Sequence, residues 1–489
     1  MPELPAELAP AAGAARPADP WRVYVVAGWV LAALFFAGFG VRCVKHGWYE
    51  PPDPAKSEEE NRKRDYRGSD FTAYYSAGEL ALKGKDLYAW TESSTPFRPF
   101  IYPPMFALFP MAPLAVLPHN AALIVFYVLN VGLLFVSLWL LRGMLWPMRP
   151  SGGTPGSDGG FLGRPDVGLL LALLLCWRFF DSNLVLGNAN VIVLFLIILG
   201  LWALQSERGG WSGLAVALAT SFKMTPGLLG LYFLWTRRGW ALLGGAAGLL
   251  LFLLVIPGAT LGWLYNWKAL DSFAGQARGK LEAPAKSDEQ AADDESDAEG
   301  TRAYGISLRG TLLKLLSPTI SLPHREATEA RSINVLDLDP ATTTRLADGA
   351  ALLLLAATVW LTWPRAGVGA RVPLALAWGL VVIAMLLISP HTRKAHGTIL
   401  LLPAAALIAA LQLRLLAGGA RRLAWCALLV LGAATILTSK GVIGRRASEV
   451  AHAAGAATWA MAFLYIAVGI ALWQISRRGE PSANVNPEP

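Results

Sequence analysis

Length, composition and charge point to a membrane protein and away from several other classes. The chain has 489 residues, of which 54% are hydrophobic and 16% charged, whereas a soluble globular chain carries about 25% charged residues. Its apolar residues form runs of about 17 to 25, which favours one integral domain over two or three soluble ones. The formal charge of +8 does not indicate a nucleic-acid partner, because Arg and Lys stand in short clusters between apolar runs, as topology determinants do.

The apolar runs predict an all-α polytopic membrane protein. A spanning helix needs about 20 apolar residues, and we expect a bundle of about 12 transmembrane helices. The runs are 22–44, 119–141, 166–181, 189–205, 212–223, 225–236, 240–262, 346–363, 372–388, 397–416, 423–438 and 454–476. The short pair 212–223 and 225–236 is predicted to be tilted, broken at Pro226 or partly re-entrant.

Threading these runs alternately through the bilayer predicts the orientation. Most short basic loops fall on one side, which the positive-inside rule makes cytoplasmic. Those loops contain Arg142, Arg149, Arg164, Arg208, Arg237, Arg238, Arg365, Arg371, Arg414, Arg421, Arg422, Arg477 and Arg478. Lys440, Arg445 and Arg446 are exceptions on the opposite side. We therefore expect a protein of the inner cell membrane with both termini in the cytoplasm.

The domain organisation follows from the same runs. The predicted parts are a disordered cytoplasmic tail (1–20), an N-terminal transmembrane half (21–262) with an outer loop (45–118), an extracytoplasmic loop (263–345), a C-terminal transmembrane half (346–478) and a cytoplasmic tail (479–489). The extracytoplasmic loop contains SDEQAADDESDAEG, an acidic stretch predicted to be disordered. The three cysteines, Cys43, Cys176 and Cys426, have no metal-like spacing and are interpreted as packing residues.

The outer loop contains a candidate catalytic carboxylate. In DFTAYYSAGELAL, apolar positions recur every three or four residues, which predicts a short helix on the membrane surface from Asp70 onward. These positions are Phe71, Tyr74, Tyr75, Gly78 and Leu82. Asp70 is either an ordinary helix cap or a base that accepts a proton from a substrate hydroxyl.

Two further segments favour a site at the same side of the membrane. Tyr102-Pro103-Pro104 enforces an extended entry to a bent apolar hairpin, which either only lies on the membrane or walls a groove for a lipid tail. The segment DSNLVLGNANVIVLF places four polar side chains at the mouth between two spans. They are either solvated or available for hydrogen bonds with sugar hydroxyls. The four are Asp181, Asn183, Asn188 and Asn190.

Cations concentrate at two places where topology does not explain them. Lys223 separates two apolar segments, so it either snorkels to the interface or meets an anion such as a lipid phosphate. The turn SPHTRKAH contains His391, Arg393, Lys394 and His396, and such clusters suit a phosphate. A two-histidine metal site is the alternative, which no HExxH-like spacing supports.

Taken in order, these segments resemble the polyprenyl-phosphate-mannose-dependent mannosyltransferases of glycosyltransferase family 87, members of the GT-C membrane superfamily. The matching segments are DFTAYYSAG, GKDLY, IYPPMFALFPMAPLAVLP, GNANVIVLF, SFKMTPGLLGLYFLW and SPHTRKAH. The chain departs from the family pattern in the polar insertion EPPDPAKSEEENRKRDYRG before Asp70 and in the composition of the SPHTRKAH turn.

The resemblance implies a GT-C-type bundle whose first outer loop folds on the membrane and carries the catalytic Asp, which maps onto Asp70. The family's phosphate-contacting positions map onto Lys223 and His396. The donor would be a polyprenyl-phosphate sugar, most often mannose, and the acceptor a hydroxyl of a glycolipid or glycan. Membrane lipids are the remaining partners. No nucleotide sugar, cofactor or metal is implied.

The hypothesis is an inverting transfer in which Asp70 accepts the acceptor's proton as the lipid phosphate departs. Arg393 joins Lys223 and His396 in neutralising the phosphate. The sugar or acceptor would be bound by Tyr74, Tyr102, Asn188 and Asn190. A secondary transporter or lipid flippase is the alternative, although ionisable residues near the midplane and repeat symmetry are typical of that class. A catalytically inactive scaffold is a third reading.

Overall fold

The computed structural model describes residues 21–50, 55, 70–88, 100–146, 160–282, 305–318, 332–364 and 370–478. Most of these residues are helical, and none of them is in a β-strand. Several predictions concern residues outside these ranges. They are the two tails, the polar insertion before Asp70, the acidic stretch SDEQAADDESDAEG, and the topology residues Arg149 and Arg365.

The helices follow the predicted runs closely. In chain order they are α1 (Arg22–Gly47), α2 (Asp70–Leu82), α3 (Pro104–Leu114), α4 (His119–Leu145), α5 (Pro165–Val185), α6 (Asn190–Gln205), α7 (Gly209–Phe222), α8 (Gly227–Trp235), α9 (Gly239–Leu261), α10 (Trp263–Glu282), α11 (Leu308–Leu316), α12 (Pro340–Thr362), α13 (Arg371–Ile388), α14 (Lys394–Gln412), α15 (Gly418–Leu437), α16 (Arg445–Ala453) and α17 (Ala456–Arg478).

Nine of the described helices are long and apolar enough to cross a membrane. They are α1, α4, α5, α9, α12, α13, α14, α15 and α17. The chain is therefore an integral membrane protein. Helices α6, α7 and α8 are shorter, so the count of about 12 spans stays a prediction. The predicted break between the two short segments is present, because α7 ends before an extended Lys223 and α8 starts after Pro226.

Helices α13 and α14 form the centre of the bundle. In each, 89% of the apolar window is buried, against 11% in α1, α9 and α12. The peripheral helices thus present apolar side chains outward, where lipid tails suit them. Small residues allow close helix contacts: a Cβ at Gly213 of α7 would lie 2.0 Å from the Ala241 carbonyl oxygen of α9. Of the cysteines, Cys43 and Cys176 are buried as packing residues should be, whereas Cys426 is exposed.

The two ends of the bundle differ in chemistry. At one end, where α4 ends and α5 begins, Arg142 pairs with Asp166 at 3.3 Å. At the other end, α2 begins beside the turn between α5 and α6, and the Phe71 N–H donates to the Leu186 carbonyl oxygen at 3.4 Å. Gly187 permits this approach, since its φ is +62° and a Cβ there would lie 2.7 Å from that of Phe71.

The helix predicted from Asp70 onward is confirmed as α2. Phe71, Tyr74, Tyr75 and Gly78 are buried. Leu82 was predicted to continue this face but is 55% exposed, because the contact surface ends one turn earlier. Helix α2 packs on the Pro-rich segment α3, where a Cβ at Gly78 would lie 2.8 Å from the Met111 carbonyl.

The Pro-rich segment is bent, as the sequence predicts. Helix α3 contains Phe109 in a non-helical conformation (φ −140°, ψ 116°), next to Pro110. Most of α3 is buried, including Phe106 and Met111, and it contacts α2 and α7. The hairpin therefore forms part of the protein wall beside Asp70 and does not merely lie on the membrane.

Candidate active site

Asp70 is the first residue of α2, and a side chain from the neighbouring turn orients it. The Asn188 Nδ2 donates to the Asp70 Oδ2 at 2.6 Å, across 118 residues of sequence. This contact depends on the close approach at Gly187, which brings the turn against the start of α2. The carboxylate is therefore held by more than its place at a helix start.

Asn188 belongs to a buried amide network between α5 and α6. The Asn190 Nδ2 donates to the Asn188 Oδ1 at 2.6 Å and to the Asn183 Oδ1 at 3.1 Å. The Asn183 Nδ2 in turn donates to the Asn188 carbonyl oxygen at 3.0 Å. All three side chains are at most 5% exposed. The reading of these asparagines as solvated residues is therefore wrong, because their amides pair with one another inside the protein.

Lys223 completes the network. Its ammonium donates to the Asn190 Oδ1 and lies 5.6 Å from the centroid of the Tyr102 ring. The side chain is thus directed at internal partners, which contradicts snorkelling. Burial lowers the pKa of Lys223 to about 7, while Asp70 acts to raise it and Arg393 to lower it. A continuous path Asp70–Asn188–Asn190–Lys223 joins a carboxylate to a cation.

Aromatic side chains from α2 and from the chain between α2 and α3 line one side of this path. The hydroxyls of Tyr74 and Tyr102 share a hydrogen bond at 2.9 Å, and the Tyr88 hydroxyl donates to the Tyr102 carbonyl oxygen at 2.7 Å. Burial, followed by interaction with Tyr102 and Asp70, holds the pKa of Tyr74 well above its usual value. Tyr74 therefore keeps its proton and remains a hydrogen-bond donor.

The segment 389–396, which includes the first residues of α14 and which we call the turn before α14, contributes the remaining predicted residues. The Arg393 N–H donates to the His396 Nδ1 at 3.1 Å, so the neutral ring carries its proton on Nε2. Arg393, His391 and Lys223 lie close enough to His396 to interact with it electrostatically. The predicted phosphate-contacting group is thus brought together, although its members are up to 173 residues apart in sequence.

The start of α11 supports this turn, which the sequence analysis missed. The Ile306 N–H donates to the Thr392 carbonyl oxygen at 2.8 Å, and the Ser307 Oγ donates to the Pro390 carbonyl oxygen at 3.0 Å. These residues follow the acidic stretch in a loop to which no role was given. Their apolar and hydroxyl side chains carried no sequence signal for this position.

The structure places Asp181 away from this network. It lies on the opposite side of α5, where it pairs with Arg42 and Arg178. Among the residues that the structure describes, no group of three His, Cys, Asp or Glu side chains has the arrangement of a metal site. The candidate site thus consists of one carboxylate, amide and tyrosine donors, and a cationic group suited to an anion.

Residues 100–292 match the model of glycosyltransferase family 87. These are 193 of the 489 residues, so the match covers less than half of the chain. The matched segment includes Tyr102, the asparagine network and Lys223, whereas Asp70 and the turn before α14 lie outside it.

Two curated relatives of the chain come from mycobacteria. A polyprenol-phosphate-mannose-dependent alpha-(1-2)-phosphatidylinositol pentamannoside mannosyltransferase of Mycolicibacterium smegmatis is 31% identical over 172 residues, covering 34% of this chain and 37% of that protein. A polyprenol-phosphate-mannose-dependent alpha-(1-2)-phosphatidylinositol mannoside mannosyltransferase of Mycobacterium tuberculosis is 30% identical over 208 residues, covering 41% and 46%. The similarity thus spans less than half of each relative. No solved structure shows significant similarity to the chain.

Proposed function

We propose that this protein is a membrane glycosyltransferase of family 87. It moves a hexose, which we propose is mannose, from a polyprenyl-phosphate donor to a hydroxyl of a glycolipid or glycan. The observation that carries the proposal is the path from Asp70 through Asn188 and Asn190 to Lys223. It presents a base and a phosphate-binding cation on one continuous scaffold. The names of the two relatives state the same donor, and phosphatidylinositol mannosides as acceptors.

Asp70 is the general base in this mechanism. It accepts the proton of the acceptor hydroxyl as that oxygen attacks the anomeric carbon and the lipid phosphate departs from the opposite face, so the reaction inverts the configuration. A positioned base contributes about 10²–10⁴-fold to such a rate. The hydrogen bond from Asn188 at 2.6 Å orients the carboxylate for this role.

The cationic group stabilises the departing phosphate. Lys223 and Arg393 supply positive charge, and the His396 Nε2–H supplies a neutral donor, since its Nδ1 is occupied by the Arg393 N–H. Donors arranged in advance stabilise developing charge without reorganisation. Because the phosphate leaves as an anion, no second carboxylic acid is needed to protonate it, in contrast to glycosidases.

Sugar hydroxyls are bound between the tyrosines and the amides. Tyr74 and Tyr102 offer hydroxyls on one side, while Asn188 and Asn190 offer amide groups on the other. The amides are held rigidly by their mutual hydrogen bonds, so they can discriminate hydroxyl positions.

The active site faces the extracytoplasmic side in this proposal, and both termini are cytoplasmic. The support is the positive-inside rule, since most short basic loops belong to the end of the bundle opposite Asp70. Helix α2 then lies at the outer membrane surface. A transporter is not proposed, because the described ionisable groups of this site gather at one end of the bundle.

The test is a transfer assay with the purified wild-type chain in proteoliposomes. Radiolabelled polyprenyl-phosphate-mannose and a glycolipid acceptor are supplied, and the labelled product is analysed by NMR for its anomeric configuration. We expect a labelled glycolipid whose new linkage has the configuration opposite to that of the donor. Label that only crosses the membrane would support the transporter instead, and retained configuration would contradict the inverting mechanism.

A further inference from the structure

A second group of charged residues lies on the other side of α5. Arg178 and Asp181 are one turn apart, and the Arg178 Nη1 donates to the Asp181 Oδ2 at 2.5 Å. Arg42 of α1 pairs with the same carboxylate. Asp181 and Asn183 are two positions apart, which is about 200° around a helix. The last turn of α5 therefore separates these charges from the amide network.

The segment after α15 adds charges to this group. Glu449 of α16 accepts from the Lys440 Nζ at 3.3 Å and from the Arg445 Nε at 3.0 Å. Lys394 lies between the ion pairs of Asp181 and those of Glu449. It interacts electrostatically with both carboxylates and with Arg178 and Lys440. We call the whole set the Arg178 cluster, defined as Arg42, Arg178, Asp181, Lys394, Lys440, Arg445 and Glu449.

The Arg178 cluster is positive and partly open. Among the described residues it contains five cations and two carboxylates. Nearby His452, only 2% exposed, has its pKa lowered to about 2 by burial and by Lys394, Lys314 and Arg178.

The exposed fractions of the side chains divide the Arg178 cluster into a floor and a rim. Arg178 and Asp181 keep 14% and 10% exposed, whereas Arg42, Lys440 and Arg445 keep 51%, 41% and 64%. The rim cations are therefore accessible to a ligand beside the floor, next to the ends of α1 and α15, both of which pack on α5.

We propose that the Arg178 cluster is a second anion-binding site, which holds the phosphodiester group of a lipid acceptor. This rests on the function proposed above. It accounts for Lys440 and Arg445, which break the positive-inside pattern. Guanidinium and ammonium groups on a rim above a buried Arg are the recognition chemistry of phosphate.

The position of the Arg178 cluster indicates that the phosphate bound there belongs to the acceptor. The turn before α14 divides its charges, because Arg393 and His396 belong to the donor side and Lys394 to the Arg178 cluster. The last turn of α5 divides the sites in the same way. The two anion sites thus lie on opposite sides of one helix, and a helix with its side chains is about 10–12 Å across. A short glycan between a phosphate and its reacting hydroxyl can span this separation.

The test compares two acceptors that share lipid and sugar and differ in the phosphate. The full chain is placed in phosphatidylcholine nanodiscs with polyprenyl-phosphate-mannose, and transfer is measured to mannosyl phosphatidyl lipid and to mannosyl diacylglycerol. The wild type should have at least a tenfold lower KM for the phosphodiester lipid. The double variant Lys440→Gln, Arg445→Gln should raise that KM about tenfold, with kcat within twofold and the KM for mannosyl diacylglycerol unchanged.

Two matched variants exclude a general structural effect. Arg446→Gln removes a neighbouring exposed cation of α16 and should leave both KM values unchanged. Glu449→Gln removes the carboxylate that competes for Lys440 and Arg445, and should lower the KM for the phosphodiester lipid about twofold. Loss of structure does not lower a KM, so a lower KM in Glu449→Gln distinguishes phosphate binding from a structural effect.

Three outcomes would contradict the assignment of the Arg178 cluster to the acceptor phosphate. They are equal wild-type KM values for the two acceptors, a double variant that impairs both acceptors equally, and a phosphatidylglycerol-dependent rate toward mannosyl diacylglycerol that the double variant loses. The last would assign the Arg178 cluster to bulk anionic lipid. A wild type that transfers to neither acceptor would instead contradict the proposed function itself.

Discussion

The proposed role of Lys223 predicts that donor binding depends on pH. Burial lowers this pKa to about 7, so the ammonium is present below pH 7 and is lost as the pH rises. The proposed donor is a phosphodiester, which keeps its single charge throughout this range. If binding requires the protonated lysine, the apparent Kd grows in proportion to the loss of the competent form. Between pH 6 and pH 8.5 the Kd should rise about 30-fold.

The assay is equilibrium binding of polyprenyl-phosphate-mannose to the chain in nanodiscs, without acceptor, at half-unit pH steps. Lys223→Arg should bind with a Kd that is flat over this range, because a guanidinium stays protonated. Lys83→Arg changes an exposed lysine just after α2 and should keep the wild-type profile. A flat wild-type profile, or the same slope in Lys223→Arg, would refute the assignment of Lys223 to the donor phosphate.

Two further predictions concern the scaffold of the site. Gly187→Ala should lower the transfer rate at least tenfold and reduce the melting temperature, because a Cβ would lie 2.7 Å from that of Phe71. The control is Gly84→Ala. Gly84 has the same φ of +62° but open space around it, so the transfer rate of this variant should stay near wild type. Asn190→Leu keeps the branched shape of the side chain but removes the link between Asn188 and Lys223. We expect it to lower kcat about 100-fold or more, and near-normal kcat in this variant would show that the amide path is dispensable.

Much of the fold is predictable because its periodicity is local. Continuous apolar runs predict spanning helices, and the described helices match those runs to within a few residues at most ends. The helix at Asp70 is likewise visible, since Phe71, Tyr74, Tyr75 and Gly78 form one stripe. Leu82 extends the same pattern in sequence but is exposed, because burial depends on where α3 ends and not on periodicity.

The candidate site is only partly predictable. Its residue types stand out, since Lys223 interrupts an apolar region and the cations of the SPHTRKAH turn oppose the topology rule. Whether the asparagines are solvated or paired depends on how the turn between α5 and α6 meets α2, which local sequence does not specify. The three amides could not be distinguished from surface residues without that contact.

The Arg178 cluster could not be predicted from the sequence, because its members are far apart in the chain. Arg178 lies inside an apolar run, a costly position that signals a partner. Its ion pair with Asp181 is visible from their three-residue spacing, but Arg42, Lys394 and Glu449 come from three other parts of the chain. Only the packing of α1 and α15 on α5 assembles them. In the sequence, the cluster is also indicated by Lys440 and Arg445, which are exceptions to the positive-inside rule.

The most direct test of the central claim is transfer by Asp70→Asn, which keeps the size of the side chain and removes its basicity. The radiolabelled assay should show a rate about 10²–10⁴-fold lower than wild type, while the Kd for polyprenyl-phosphate-mannose changes less than threefold. Glu79→Gln alters another carboxylate of α2 and should transfer normally. Transfer by Asp70→Asn at the wild-type rate would contradict the account.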